Sequence, residues 1–325
     1  MQETVVISND RDWTTYQVID WLMFYGAKVY YQNIIDHDKN DISISLDQNY
    51  NKSFLKIDNK VIKPGTKFWL RKFPRYIYPK LLFGIDNVLI KSFVNEEREA
   101  FIKFYYSYHR NAFSHLGSNS QYNSPLQVNK LESLIQARNC GLNIPKSIVT
   151  NAKCDIKEFL DEVKTAIIKP LSEPTMLSNY DKIFTMHTKY FDLDYLNLMD
   201  DKFFPIYLQK YIPKEFEIRV FYLKNKFYSS AIYSQNDPQT KVDYRKYNNE
   251  VPNRVVPFKL PKSIVNKLLK LLILMGLNTA SVDLIFTPNE EFYFLEINPV
   301  GQFGSLSLNC NYSLEDIIAN SLIYG

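Results

Sequence analysis

Two carboxylates near the end of the chain have the spacing of a metal site. Two strand-like runs flank a turn at Pro288 and Asn289. Antiparallel pairing about this turn places Asp283 opposite Glu296, and side-chain alternation puts Asn298 on the same face as Glu296. Facing carboxylates repel each other. Magnesium relieves this repulsion, because it prefers oxygen ligands, commonly one or two carboxylates with substrate phosphates. The pattern therefore predicts a site for magnesium and a nucleotide.

An ordinary hairpin with a polar outer face would show the same alternation without binding a metal. Glu296 and Asn298, however, lie in the apolar run 294–301, where solvated side chains are less expected. We therefore favour the metal site.

Two arginines each follow an acidic residue by two positions. In Glu217-Ile218-Arg219 the charged residues share one face of a strand while Ile218 faces the core. Asp243 and Arg245 repeat this spacing. The alternative is a surface ion pair of little energetic value. For Arg219 we favour a guanidinium group that binds a transferring phosphoryl group, because arginine forms charge-assisted hydrogen bonds to phosphate, and we favour a functional role for Arg245 as well.

Two lysines are candidates for phosphate binding. Lys169 ends the apolar run 166–168 and precedes Pro170. A lysine at the end of a strand places a mobile positive charge at the edge of a sheet, which suits a polyphosphate. For Lys169 we favour this function over that of a solvated side chain. For Lys130, at the start of a predicted helix, both interpretations stay open.

The sequence predicts no nucleophilic side chain and no metal site built from histidines or cysteines. The histidines lack metal-ligand spacing, the cysteines are isolated, and there is no glycine-rich phosphate loop of the Walker or dinucleotide kind. We interpret the histidines as surface or packing residues and the cysteines as reduced, structural thiols. These residues are His37, His109, His115, His187, Cys140, Cys154 and Cys310.

Composition and charge narrow the class of protein. The 325 residues are 46% hydrophobic and 23% charged, as in a globular protein with a substantial core. The net charge of +4 is too small to indicate a nucleic-acid partner and fits an acidic substrate slightly better than a basic one. The chain opens without a signal-peptide pattern, and its longest apolar run, 268–277, is too short to cross a bilayer. We therefore expect a cytoplasmic protein.

The elements that position these side chains form a mixed α/β pattern in three segments. A first α/β lobe covers residues 1–118, a central segment 119–204, and a C-terminal segment with the metal hairpin 205–325. Strands are predicted at 4–8, 28–32, 67–72, 147–150, 166–169, 183–187, 206–211, 215–222 and 226–234. Helices are predicted at 13–25, 96–113, 129–141, 155–163, 263–275 and from 314, with Asn95 and Ser313 as caps of the second and last.

In order along the chain, the motifs resemble the ATP-grasp superfamily, and more narrowly the graspetide ligases that macrocyclise ribosomal peptides, including the grasp-with-spasm and microviridin-type enzymes. The resemblance is close from about residue 124 to the C-terminus, and in the first lobe it extends only to length and layout. The motifs are Asn129-Lys130-Leu131 with Ala137, Gly141-Leu142-x-Ile144-Pro145, Thr150-Asn151, Ile168-Lys169-Pro170, Gln209-Lys210-Tyr211-Ile212, Glu217-Ile218-Arg219-Val220, Asp243-Tyr244-Arg245 and 294–303.

The resemblance implies the ATP-grasp fold, with an N-terminal pre-ATP-grasp lobe and ATP bound between the central and C-terminal lobes. It implies that Lys130 and Lys169 reach the phosphates, that Gln209-Lys210-Tyr211-Ile212 is the hinge that holds adenine, and that Glu215, with Glu217 as a competitor, contacts ribose. Arg219, Arg245 and Asp243 are then the catalytic group. The implied cofactors are ATP and magnesium, with two ions bound by Asp283, Glu296 and Asn298.

The implied activity is an ADP-forming ligation. An Asp or Glu side chain of a ribosomal precursor peptide, carrying a leader and a core, is activated as an acyl phosphate and then joined to a Ser, Thr or Lys side chain. The resemblance also implies a homodimer.

Two alternatives to this function stay open: an ATP-grasp ligase for an amino acid or another small carboxylate, and a nucleotide-binding scaffold without turnover. One departure from the family is the connector 171–181, which has no glycine where many ATP-grasp proteins have a glycine-rich flap.

Overall fold

The computed structural model describes residues 3–33, 41–72, 87–112, 114–117, 129–171, 176–179, 182–185, 188–246 and 248–325. Contacts divide the chain into two units. The first unit is Met1–Leu126 with Gly276–Thr279 and Ser313–Gly325, and the second is Gln127–Met275 with Ala280–Tyr312. The three-lobe division at residues 118 and 204 stays a prediction.

The first unit is a parallel α/β layer with a small antiparallel sheet. Its elements are β1 (Glu3–Ser8), α1 (Trp13–Phe24), β2 (Lys28–Asn33), β3 (Ile42–Ser45), β4 (Phe54–Ile57), β5 (Lys60–Ile62), β6 (Lys67–Leu70), α2 (Val88–Ala112) and β7 (Ser114–Gly117), with the C-terminal helix that follows residue 313. The main sheet has the order β2-β1-β6-β7 with all pairs parallel. The small sheet, β3-β4-β5, is antiparallel.

The core of the first unit joins both sheets to the last turns of α2. Parallel strands are usually covered on both faces, so their inward positions are almost continuously apolar. The buried residues of this core are Val5, Ile7, Leu55, Ile57, Ile62, Phe68, Leu70, Tyr105 and Tyr108.

The second unit holds two larger antiparallel layers. Its elements are α3 (Lys130–Asn139), β8 (Ser147–Thr150), α4 (Lys153–Val163), β9 (Ala166–Lys169), β10 (Met176–Asn179), β11 (Lys182–Thr185), β12 (Lys189–Phe191), α5 (Leu193–Asn197), β13 (Ile206–Lys210), β14 (Phe216–Leu223), β15 (Lys226–Tyr233), β16 (Arg254–Pro257), α6 (Lys262–Leu274), β17 (Thr279–Phe286), β18 (Phe292–Asn298) and α7 (Gly304–Cys310). One sheet has the order β12-β9-β13-β8 and the other β16-β15-β14-β17-β18, and β10 and β11 form a separate hairpin. The final helix, α8 (Leu314–Tyr324), returns to the first unit.

The predicted start of the long helix α2 was wrong. The prediction placed it at residue 96 with Asn95 as its cap, but the helix begins at Val88. Asn87 supplies the cap, because its Oδ1 accepts hydrogen bonds from the amides of Leu89 at 3.0 Å and Ile90 at 3.3 Å. Ser313 does precede α8, but its side chain makes no capping hydrogen bond.

Strand β7 was predicted to be part of a boundary loop. Its residues have little strand propensity, and the strand forms because parallel pairing with β6 satisfies its backbone. At its end, Gly117 has φ of +139°, and a Cβ there would lie 2.6 Å from the carbonyl oxygen of Leu70. Only glycine allows that approach. Strand β16 was likewise predicted as loop and forms by pairing with β15.

Within the part of the chain that the structure describes, no helix is both long enough and apolar enough to span a bilayer.

Candidate active site

Most of the predicted site residues line one pocket of the second unit. Its walls come from β9, β13, β14, β17 and β18 and from the loops at 211–214 and 242–245. The polar and charged lining residues are Lys169, Thr188, Gln209, Lys210, Tyr211, Lys214, Glu217, Asp243, Tyr244, Arg245, Asp283 and Glu296. Apolar side chains such as Ile167, Ile212, Ile285 and Leu295 complete it. Small-molecule sites commonly combine an apolar wall with a few convergent polar groups.

The β17–β18 hairpin has the predicted pairing at its carboxylates. Asp283 lies opposite Glu296, and Ser281 lies opposite Asn298. The ladder is irregular next to this pair, because Leu284 pairs with Phe294 and leaves Leu295 as an extra residue, a β-bulge. Asp283 and Glu296 both line the pocket, so the two carboxylates share one face of the sheet.

Arg219 holds Asp283 in place. Its Nη1 donates to both carboxylate oxygens of Asp283, at 2.5 Å and 2.7 Å, and the two side chains are only 14% and 10% exposed. Burial alone would lower the pKa of Arg219, but attraction to Asp283 outweighs it and the pKa is raised. Burial raises the pKa of the Asp283 carboxyl, and Arg219 limits that rise. Arg219 therefore stays charged and fixes the position of one carboxylate.

Arg245 contacts two further acidic residues of the pocket, Asp243 and Glu296. Its Nε donates to Asp243 Oδ1 at 2.9 Å, and its Nη1 lies 3.5 Å from Glu296 Oε1. Burial acts to raise the pKa of Asp243, but Arg245 more than compensates and the pKa is lowered. The sequence spacing suggested only an ion pair between Arg245 and Asp243. The structure shows in addition that the guanidinium group of Arg245 approaches Glu296.

Lys169 and Lys130 place positive charge near the carboxylate of Glu296. The Nζ of Lys169 donates to Gln209 Oε1 at 2.8 Å, and the Nζ of Lys130 donates to the carbonyl of Pro170 at 2.7 Å. Burial lowers the pKa of Lys169, while the negative charge of Glu296 opposes that change. Burial would raise the pKa of Glu296, but Arg245, Lys169 and Lys130 reverse the effect and the pKa is lowered. Glu296 is thus an ionised carboxylate among cations.

The predicted hinge lines the pocket through all four of its residues. Two of its amides are already engaged within the protein, since the amide of Lys210 donates to the carbonyl of Lys146 at 2.8 Å and that of Tyr211 to Thr165 at 2.9 Å. Among the described residues, the amide of Ile212 donates to no backbone carbonyl. If this segment holds a base, Ile212 is the residue whose amide can donate to it.

Four predicted site residues lie outside the pocket lining: Lys130 and Arg219, whose contacts are given above, and Glu215 and Asn298. Glu215 is exposed, and its amide pairs with the carbonyl of Phe286 at 2.9 Å. Asn298 is half-buried, and its Oδ1 accepts a hydrogen bond from the amide of Val300 at 3.0 Å, so this oxygen stabilises the chain reversal after β18. The roles of Glu215 and Asn298 in binding ribose and metal remain predictions.

A buried ion pair in the pocket was missed from the sequence. Lys214 donates to Glu217 Oε1, and the two side chains are 3% and 9% exposed. Ser234 also donates to Glu217 Oε1, at 3.2 Å. Burial raises the pKa of Glu217, and Lys214 opposes that shift. The i, i+3 spacing was visible in the sequence, but a lysine in a loop gives no signal that its ammonium group is buried.

Lys214→Met should destabilise the protein strongly, because it leaves the carboxylate of Glu217 buried without its cation. Removing one partner of a buried pair typically costs about 3–5 kcal/mol. Chemical denaturation of Lys214→Met, Glu217→Gln and the double variant measures the effect. We expect the double variant to recover most of the loss. If Lys214→Met is as stable as the parent, the pair does not contribute to the fold.

The histidines and the connector are only partly described. His37 and His187 lie outside the described residues, as do parts of the connector 171–181, of which residues 176–179 form β10. Cys140 and Cys310 are buried free thiols and Cys154 is an exposed one. Within the described ranges, no three His, Cys, Asp or Glu side chains cluster as a metal-binding group.

The donor set nevertheless fits magnesium bound together with a phosphate ligand. Magnesium commonly takes one or two protein carboxylates and completes its coordination with water and substrate phosphates. Asp283 and Glu296 supply those carboxylates on one face, and the pKa of Glu296 is lowered. Lys130, Lys169, Arg219 and Arg245 all act on the carboxylate of Glu296, and this concentration of positive charge is electrostatically suited to a polyphosphate.

No family model and no curated protein matches this chain, but solved structures do. Macrocyclase MdnC from Microcystis aeruginosa MRC, bound with precursor peptide MdnA, is 23% identical with a TM-score of 0.77, over 100% of both chains. A RiPP-associated ATP-grasp ligase from Chryseobacterium gregarium, in complex with ADP and a leader and core peptide, is 23% identical with a TM-score of 0.79, over 99% of this chain and 95% of the other. ATP-grasp ligase PsnB, complexed with a phosphomimetic variant of its minimal precursor, Mg and ADP, is 16% identical with a TM-score of 0.74, over 99% and 98%.

These structural similarities cover essentially the whole chain and define its fold class. The protein has the mixed α/β fold of the ATP-grasp ligases. The predicted fold class is confirmed, and so is the resemblance in fold to the ATP-grasp ligases that process ribosomal peptides.

Proposed function

We propose that this protein is an ATP-dependent, ADP-forming ligase that activates a carboxylate as an acyl phosphate. The observation that carries the proposal is the pairing of Asp283 and Glu296 on one face of the hairpin, with Lys169, Arg219 and Arg245 around them. Phosphoryl transfer depends on positioning and charge stabilisation more than on covalent chemistry by the protein. This pocket offers fixed charges of both signs.

The nucleotide is held by two groups of residues. We assign adenine to the segment 209–212, with Ile212 as the available amide, and the phosphates to Lys169 and Lys130. Asp283 and Glu296 hold magnesium, which neutralises charge on the phosphate oxygens when it is bound. Two ions are expected from the resemblance. Arg219 fixes the position of Asp283, and Arg245 lies 3.5 Å from Glu296.

The reaction has two displacements. An oxygen of the substrate carboxylate attacks the terminal phosphorus of ATP, the bond from that phosphorus to the bridging oxygen breaks, and ADP leaves. A hydroxyl or amine then attacks the acyl carbon, releases phosphate and loses a proton, which leaves an ester or an amide. The guanidinium groups of Arg219 and Arg245 stabilise the negative charge that spreads over the phosphoryl oxygens. No nucleophilic side chain of the protein is needed.

The substrate we propose is an Asp or Glu side chain of a ribosomal precursor peptide, joined to a Ser, Thr or Lys side chain of the same core. Support comes from the likeness to ligases solved with precursor peptides, and from a fold shared over nearly the whole of each chain. A homodimer working in the cytoplasm belongs to this proposal.

The test is ligation of the partner peptide. A short reading frame rich in Thr or Ser and Asp or Glu should lie beside the gene, and its peptide is incubated with the protein, ATP and magnesium. We expect the peptide mass to fall by one water for each ring, with ADP formed in parallel. Omitting ATP or adding a metal chelator should stop both changes.

Two outcomes would contradict parts of the proposal. An unchanged peptide mass while ATP is hydrolysed in the presence of a free amino acid would favour the ligase for small carboxylates. Absence of any ADP formation with all candidate carboxylates would favour the scaffold without turnover.

A further inference from the structure

The side chain of Gln209 is fully buried at the wall of the pocket and makes three hydrogen bonds. Its Oε1 accepts a hydrogen bond from the ammonium group of Lys169 at 2.8 Å. Its Nε2 donates to the hydroxyl of Tyr207 at 2.9 Å and to the hydroxyl of Ser147 at 3.1 Å. A buried amide with these partners is held in one orientation, because rotation would leave polar atoms buried without a hydrogen bond.

Strand pairing brings these four side chains together. Strand β13 lies between β8 and β9, with Gln209 directly opposite Ser147 and Tyr207 directly opposite Lys169. Directly opposed residues share a face of the sheet, as do residues two apart on one strand, so all four side chains project from the same face. The diagonal from Gln209 to Lys169 is within reach of two long side chains. The contact between them therefore follows from the register of the sheet.

The direction of the hydrogen bonds is fixed at both ends of this network. A lysine ammonium group only donates, so the atom of Gln209 that faces Lys169 is the carbonyl oxygen. At the other end, Ser147 Oγ donates to the backbone carbonyl of Pro145 at 3.0 Å, and a carbonyl only accepts. Burial raises the pKa of Tyr207, so its hydroxyl keeps its proton, and it lies 3.4 Å from Ser147 Oγ. Turning the amide of Gln209 over would place its NH2 group against the ammonium group.

An amide fixes the ammonium group of Lys169 without cancelling its charge. Burial lowers the pKa of Lys169, and the negative charge of Glu296 opposes that change. A carboxylate at position 209 would form an ion pair with the lysine, whereas the neutral amide accepts one N–H and leaves the positive charge for a ligand. The charged groups that act on Lys169 come from β18, from the loop at 242–245 and from β14, and are Glu296, Arg245, Asp243 and Glu217.

We propose that Gln209 is a positioning residue whose side-chain carbonyl holds the ammonium group of Lys169 in place for the phosphates of a bound nucleotide, while Tyr207 and Ser147 hold the amide. The segment 209–212 then serves the nucleotide twice, with its main chain at the base and the side chain of its first residue at the phosphates. The identity of the ligand rests on the proposed function, but the contact between Gln209 and Lys169 does not.

Competitive acetylation of the protein without nucleotide tests the contact. Acetic anhydride reacts with the free amine, so the rate at Lys169 relative to that at the exposed Lys157 on α4, read by mass spectrometry, follows the pKa of Lys169. Gln209→Met should raise this relative rate by about threefold or more, because the ammonium group loses an acceptor and its pKa falls. Gln209→Glu should lower it, because a carboxylate favours the ammonium form. A general loosening of the pocket would raise both rates.

Isothermal titration calorimetry with magnesium and ADP tests the purpose of the contact. The Kd should rise about tenfold in Gln209→Met, because Lys169 is no longer held by a charge-assisted hydrogen bond. Gln209→Glu should weaken binding at least as much, since its carboxylate cancels the charge of Lys169 and repels phosphate. Tyr207→Phe, which removes one acceptor of the amide, should raise Kd about threefold. Gln136→Met is the matched control, because it makes the same change on α3, outside the pocket lining, and should bind like the parent.

Three results would overturn the proposal: unchanged acetylation of Lys169 in Gln209→Met, a change of the same sign in Gln209→Met and Gln209→Glu, or an unchanged Kd in Gln209→Met when the parent binds magnesium and ADP. A parent that binds no nucleotide, with acetylation rates that change as expected, would refute the proposed function and leave the contact established. Thermal unfolding checks the fold of each variant. If Gln209→Met does not fold, Tyr207→Phe replaces it in both measurements, with smaller changes of the same sign.

Discussion

Glu296→Gln is expected to abolish turnover while the protein keeps its fold. The substitution preserves the size of the side chain and removes the negative charge that lies among Arg245, Lys169 and Lys130. An amide is a poor magnesium ligand in comparison with a carboxylate. Loss of a preorganised charge in an active site typically lowers kcat by about a hundredfold or more. ADP release and peptide mass in the ligation assay measure the effect.

The matched control for this variant is Glu291→Gln. Glu291 lies on the same hairpin, is exposed and is outside the pocket lining. It should ligate like the parent, and both variants should have the Tm of the parent within a few degrees. Normal ligation by Glu296→Gln would show that the metal assignment is wrong.

Arg219→Met should cost both stability and activity. The change leaves the carboxylate of Asp283, which is 10% exposed, without the guanidinium that donates to both of its oxygens. An uncompensated buried charge typically costs about 3–5 kcal/mol. The loss of free energy of unfolding is measured by denaturant titration.

The double variant Arg219→Met with Asp283→Leu separates the two effects. Replacing a buried pair by apolar residues of similar volume is often nearly neutral, so we expect stability to return. Turnover should not return, because both the phosphoryl-binding cation and one metal ligand are lost. A double variant that is stable and active would exclude Arg219 and Asp283 from the chemistry.

The sequence predicted correctly those structural features that depend on residues close together in the chain. Alternation along two strands and a turn at Pro288 and Asn289 were enough to place Asp283 opposite Glu296, which the structure confirms. The fold class followed from the order of motifs along the chain. These features depend on residues that are close in sequence, or on a pattern that many short motifs share.

Contacts made between distant segments could not be predicted in this way. Strand β7 forms because β6 offers it a parallel partner, and the buried pair of Lys214 and Glu217 depends on how the pocket wall closes over it. Asn298 shows another limit, because alternation gives the face of a side chain but not its hydrogen-bond partner, which here is the amide of Val300. The start of α2 was missed since two asparagines, Asn87 and Asn95, could each cap a helix.

The bulge at Leu295 has a consequence for redesign of the hairpin. Buried positions on β18 fall at Phe294 and Ile297, three residues apart instead of two, so the extra residue lets Phe294 face inward while Glu296 still faces the pocket. Deleting Leu295 would restore strict alternation and keep both carboxylates in register, whereas deleting Ile297 would reverse the faces of the residues beyond it. The turn of the hairpin, and the residues between that turn and Glu296, can therefore be replaced or shortened. Within residues 296–298, by contrast, no residue can be inserted or deleted.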